Sequence, residues 1–182
     1  MHSGVYSAIF LITLGAGALG AAAQPQPMPM GGMGSQATSN ITAQIPGPLT
    51  VQFGDKSAEW TPATLAALPH KTVTLYNEHV KTNQTYSGVE LIDLLKPLGV
   101  PEKPHGKEFR LYLEAEGADG YVVVYSVAEV TPDVHDGTVI VADTMDGKPL
   151  ADDGPLKLVA TGEKRPARWV RNLAAIRVLT AQ

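Results

Sequence analysis

Regular spacing of apolar and polar positions begins at Leu49 and continues almost to the C-terminus. LTVQF (49–53) alternates with the period of two expected of a strand. Thr61 and Pro62 then suit the N-cap and first turn of a helix over ATLAAL. KTVTLY (71–76) alternates again, with the β-branched residues of a half-buried strand. The polar stretch from Asn77 to Gly88 has no period and predicts a loop of about a dozen residues, a length often reserved for function. Ser87 followed by Glu90 has the spacing of a capping box, and Val89, Leu91, Ile92, Leu94 and Leu95 supply the stripe of a helix ending near Pro97–Gly99. EFRLYLEA (108–115) and YVVVYS (121–126) predict strands around the turn EGADG, and SVAEV (126–130) at most a short helix. TVIVADTM (138–145), PLKLVA (155–160) and LAAIRVL (173–179) complete a β-rich second half. Six or seven strands and two main helices predict an α+β domain on a mixed or antiparallel sheet, open or curled into a barrel.

Upstream, residues 8–23 form an uncharged apolar run that ends rich in Ala and Gly. It reads as the apolar region of a signal peptide spanning 1–23, with Ala21 and Ala23 as the small residues before cleavage. An uncleaved anchor needs about 20 apolar residues, more than this run offers. Export to the periplasm or medium, with no stable membrane span after cleavage, is the expectation. Residues 24–47 are rich in Pro, Gly and Met and predict a flexible linker, leaving 48–182 as the folded domain. Met28, Met30 and Met33 are either tolerated linker residues or thioether ligands for Cu(I).

Charge sharpens this division. All 14 basic and 18 acidic residues lie from Asp55 onward, so the 18% charged fraction averages a charge-free leader with an ordinary domain. A net charge of −4 without a basic run argues against a nucleic-acid partner. The absence of cysteine excludes disulfides, Cys-ligated zinc and thiol catalysis. His70, His79, His105 and His135 have no metal-ligand spacing, and no serine nucleophile elbow or phosphate-binding glycine loop occurs. The densest chemical signal is EKRPARWVRN (163–172), where Lys164, Arg165, Arg168 and Arg171 cluster around Trp169. Guanidinium forks match phosphate or carboxylate, so the cluster is either an anion site or a solvated loop with surface pairs. Trp169 suits a core position, and Arg168 could pair with a carboxylate such as Asp119 or Glu114. Asp119-Gly120-Tyr121 reads as a turn with a packing aromatic.

Taken together, TYSGVELIDLLKPLGV, GADGYVVVYSVAEV and VADTMDGKPLADDGPLKLVATGEKRPARWVRNLAAIRV resemble, in order, segments of the oxidoreductase molybdopterin-binding domain, the catalytic-domain fold of the sulfite oxidase family. The resemblance spans roughly residues 73–178. It implies a molybdopterin cofactor whose metal is held by one cysteine thiolate just after the strand matching KTVTLY. Here that stretch is Tyr76-Asn77-Glu78-His79, and the whole chain lacks cysteine. The resemblance assigns the cofactor's phosphate to Arg168, with Arg165 assisting, and puts Asn77 and His79 near the cofactor. It yields no metal ligand and no catalytic residue. Three functions follow as expectations. The first is a non-catalytic member that binds an anionic small molecule or a redox partner protein at the 76–88 loop and the Arg168 region. The second is an active molybdopterin oxidoreductase without a Cys ligand, and the third is a purely structural or partner-docking domain.

Overall fold

The structure, a computed structural model, describes residues 47–182; the expected signal peptide and, apart from Gly47, the expected linker lie outside the described residues. Strand β1 (Leu49–Phe53) reverses at Gly54 into β2 (Lys56–Trp60), a strand that KSAEW does not advertise because three of its five residues are polar or charged. It forms because the turn folds it back antiparallel along all of β1. Helix α1 (Pro62–Leu65) is a single turn, with the Thr61 hydroxyl accepting from the Thr64 backbone N–H at 3.1 Å, so the expected helix is shortened.

β3 (Lys71–Asn77) forms as expected, but the dozen-residue loop does not. Only Glu78–Lys81 turn, and β4 (Thr82–Glu90) runs back along β3 from Thr82 to Gly88. The polar residues of this strand sit on a half-exposed hairpin and bond across it, as Thr85 does with Thr74 at 3.1 Å, so no apolar alternation is needed to stabilise the pairing. Ser87 is therefore within a strand, and the Ser87–Glu90 capping box does not form. Glu90 occupies the N-cap of α2 (Leu91–Leu95) without a capping bond, its carboxylate accepting instead from Lys71 at 2.7 Å. A 3₁₀ turn, Lys96–Leu98, continues the helix and stops, as predicted, at Gly99, whose φ of 98° is left-handed.

β5 (Leu111–Gly117), β6 (Val122–Ser126), β7 (Val139–Met145), β8 (Lys148–Pro149), β9 (Lys157–Ala160) and β10 (Leu173–Thr180) complete the fold. They assemble into two sheets rather than one barrel. The first has the order β2-β1-β10-β5-β6, with β1 parallel to β10 and the other pairs antiparallel; the second runs β3-β4-β7-β8, with β9 also on β7. Fold class is thus α+β with mixed and antiparallel pairing, as the sequence predicts. No helix among the described residues is long and apolar enough to cross a membrane.

The main core lies between the sheets and α2. Leu113, Tyr125 and Ile176 from the first sheet meet Val89, Val141 and Leu158 from the second, with Leu91, Leu94 and Leu95 closing one side. Each such side chain contributes roughly 1.5–3 kcal/mol by burial. A smaller cluster of Val73, Tyr86, Ile140, Ala142, Leu150 and Val159 occupies the other face of the second sheet, where Trp169 packs on it.

The two clusters share the β4–β7 seam, and its geometry is set by one glycine. Ser87 pairs with Thr144 and Gly88 with Ala142, so Asp143 is the extra residue of a β-bulge. A Cβ at Gly88 would lie 2.5 Å from the Ala142 Cα and against the Val141 carbonyl oxygen, both backbone atoms that cannot swing away. Gly88→Ala is therefore expected to destabilise the domain by about 3 kcal/mol or more, at the upper end for overpacking, measured as a drop in denaturant midpoint with an unchanged m-value.

Candidate functional site

The cationic segment 163–172 folds over the β6 edge of the first sheet. Pro166–Arg168 form a short 3₁₀ turn, braced where the Tyr125 hydroxyl donates to the Arg168 carbonyl at 2.6 Å and the Tyr121 hydroxyl to that of Ala167. The Asp119-Gly120-Tyr121 turn forms as read, with Tyr121 N–H donating to the Asp119 carboxylate at 3.0 Å, but the Tyr121 ring is half exposed and holds this segment rather than filling the core.

Arg168 gives four of its five N–H donors to the chain's own acceptors. Its Nε donates to Glu163 at 3.0 Å, its Nη2 donates to the same carboxylate, and its Nη1 reaches Glu129 at 2.8 Å and the Val124 carbonyl at 3.4 Å. The guanidinium also stacks 4.5 Å from the Tyr125 ring centroid. Glu129 serves two ends: one carboxylate oxygen accepts from Ser126 N–H at 2.8 Å, forming a capping box on the 3₁₀ turn Val127–Val130, and the other binds Arg168. Partial burial works against the Arg168 charge, yet the bonds to Glu129 and Glu163 outweigh it and hold its pKa above the ordinary value. Burial likewise opposes the Glu129 charge, and the bonds from Ser126 and Arg168 hold its pKa below the ordinary value. Burial pushes the Tyr125 hydroxyl upward, against the pull of Arg168. The cavity these groups share with His135 and Thr161 has a volume of about 10 Å³, room for one water.

The remaining expected site residues are spread out. Arg165 is exposed beside Lys164, and neither forms an ion pair among the described residues; Arg171 lies 3.9 Å from Asp153. Asn77 is spent on structure: its Nδ2 donates to Gln84 at 2.7 Å and its Oδ1 accepts from the His79 N–H at 2.9 Å, fixing the tight β3–β4 turn. The His79 side chain is exposed at that turn. No hydrogen bond or ion pair joins Asn77 or His79 to Arg168 or Arg165. Of the pairing partners foreseen for Arg168, neither Asp119 nor Glu114 takes that role; Glu129 and Glu163 do.

Lys157 is a cation that the sequence reading passes over. Only 7% exposed, it donates to Asp153 at 2.6 Å and to the Tyr86 hydroxyl at 3.4 Å, and stands 5.0 Å and 5.2 Å from the Tyr86 and Trp169 ring centroids. Its only signal in sequence is a charge at an inward position of the otherwise apolar strand PLKLVA. Trp169 lies edge-on to Tyr86 at 5.5 Å and donates to the Ala160 carbonyl, which fits the core role read for it. Among the described residues no three His, Asp or Glu side chains converge as a metal site.

The bulge creates one further polar pair. His70 places Nδ1 2.8 Å from the Leu68 carbonyl and Nε2 2.9 Å from the Asp143 carboxylate. Both partners are acceptors, so this geometry favours the doubly protonated imidazolium. The bond to Asp143, then that to Leu68, raises its pKa above 6.5 against a smaller opposing effect of burial.

The sequence model of the oxidoreductase molybdopterin binding domain family matches residues 49–182. No curated protein matches the chain.

Two expectations follow. Arg168→Ala removes the partner of two partly buried carboxylates, and because Arg168 is about a third exposed, screening limits the loss to about 1–2 kcal/mol, measured by urea denaturation; Arg168→Lys, with one point charge in place of the fork, restores only part of it. For His70 the folded pKa is raised, so its contribution is fully present below about pH 6.5 and is lost as pH rises through the folded value. Stability measured across that window should fall with rising pH in the native chain and stay flatter in His70→Ala.

Proposed function

The chain belongs to the oxidoreductase molybdopterin-binding domain family, and from that premise we propose that it is a non-catalytic member, an exported domain that docks an anionic partner at its surface. The observation that carries this reading is the state of Arg168. The residue to which the resemblance assigns the cofactor's phosphate already has Nε, Nη1 and Nη2 engaged by Glu163, Glu129 and Val124. An anion brought to Arg168 would meet the negative charge of the two carboxylates bound to the guanidinium.

The rest of the implied cofactor site supports the same reading. The stretch that would carry the metal thiolate spans the end of β3 and the start of the turn that Asn77 fixes, and neither an amide nor an imidazole reproduces the charge and softness of a thiolate. The cavity at Arg168 has room for a water and not for a pterin. The residues present therefore do not fit a molybdenum cofactor held by a thiolate and by Arg168, and no reaction step is assigned to one. Lys164 and Arg165 remain exposed on the loop that Arg168 anchors, which favours a large partner with an acidic surface, such as a redox protein, over a small anion in a pocket. Export rests on the apolar run at residues 8–23.

Protein purified from a host that makes the molybdenum cofactor is expected to contain neither molybdenum by metal analysis nor pterin by fluorescence. Stoichiometric molybdenum and pterin would overturn the reading in favour of an active oxidoreductase without a Cys ligand. In the same preparation, Lys164→Glu with Arg165→Glu is expected to abolish salt-sensitive retention on immobilised polyglutamate. Retention unchanged by the double substitution would remove these cations from the docking surface.

A further inference from the structure

Sheet edges carry unpaired backbone N–H and C=O groups, and proteins usually blunt them with short strands, charges, bulges or a covering segment. In the first sheet, the 166–168 turn covers β6, where Arg168 donates to the Val124 carbonyl at 3.4 Å; β2 is five residues long and carries Lys56 and Glu59. In the second sheet, β8 has two residues, and β9 is bridged by Val170, with backbone bonds of 2.8 Å and 3.2 Å between Leu158 and Val170.

Among the described residues, no segment covers β3. It runs for seven residues without proline, its register with β4 contains no bulge, and among the described residues β4 is its only strand partner. Its one charged residue, Lys71, stands at the end. Thr72, Thr74 and Tyr76 are exposed along it, Tyr76 to 54%.

We propose that β3 is a self-association edge, two copies of the chain pairing their β3 strands antiparallel about a two-fold axis through Thr74. Two observations select a second copy in this register. Residues directly opposite in an antiparallel pair share a face, and centring on Thr74 is the self-pairing that engages all seven residues from Lys71 to Asn77. It sets Thr74 against its own mate and Thr72 against Tyr76 of the partner subunit, the hydroxyl-bearing and β-branched–aromatic pairs that stabilise sheets. Thr74 already makes such a pair with Thr85 inside the hairpin. The charges at its ends are already paired within each copy, Lys71 with Glu90, His70 with Asp143 and Glu78 with Lys81, so the backbone ladder supplies most of the association.

The chain lacks cysteine, which permits a clean test. In this register, Cα atoms opposite each other across the two-fold lie roughly 4.5–5.5 Å apart, within the range a disulfide spans. Oxidised full-length Thr74→Cys is expected to form a disulfide-linked dimer, while Glu59→Cys on the β2 edge stays monomeric. Sedimentation velocity over a concentration series is expected to show a reversible native dimer, weakened by about tenfold or more in Thr74→Lys, where two ammonium groups would face each other. A native chain that remains monomeric throughout, or cross-linking that favours Glu59→Cys, would overturn the proposal. So would a β3 edge whose amides gain protection from hydrogen exchange only on adding a peptide of residues 24–46, which would assign the edge to the linker.

Discussion

The domain depends on bringing β4 close enough to β7 for two apolar clusters to share one seam. Gly88 is the point of closest approach, because a side chain there would occupy the space of the Val141 and Ala142 backbone. One side of the seam buries Val89 and Val141 against the first sheet, and the other buries Tyr86 and Ala142 beneath Trp169. The register shift at this point displaces Asp143 as a bulge residue, which His70 then binds from the start of β3. A single steric requirement thus sets the register of the central strand, the packing on both of its faces and the placement of a charged pair.

Placing charge in this framework follows one rule throughout. A cation drawn out of water needs close acceptors, and the low dielectric makes an unpaired one costly. Arg168 has Glu129 and Glu163, and Lys157 has Asp153 and two aromatic rings. Both cations therefore hold loops to sheets, the 161–168 segment in one case and the 150–157 segment in the other. Lys164 and Arg165, which no internal acid neutralises, remain at the surface. Within the segment 163–172, position relative to β6 divides structural from solvent-facing charge.

Much of the fold was legible before any coordinates. KTVTLY alternates, TVIVADTM and LAAIRVL carry apolar runs, and the stop at Gly99 follows from its need for a left-handed backbone. The pattern failed at β2 and β4. KSAEW and the polar half of TNQTYSGVE lie at a sheet edge or on a protruding hairpin, where no apolar face is required and pairing comes from a turn and a neighbouring strand. Ser87 and Glu90 have the spacing of a capping box, but β4 claims Ser87, while the same spacing in Ser126 and Glu129 does form the box.

The family itself was readable from the order of several short motifs and is matched over residues 49–182. Composition alone fixed the absence of a thiolate and the crowding of cations around Trp169. The fate of those cations was not readable, because Arg168 and Glu129 are 39 residues apart and meet only when β6 and the 163–168 segment share an edge. A sequence states which charges exist and how regularly its apolar residues recur. Which acid neutralises which base, and which strand edge stays open, depends on long-range packing, since electrostatic and hydrogen-bond energies are set by distances of a few ångströms that spacing along the chain does not encode.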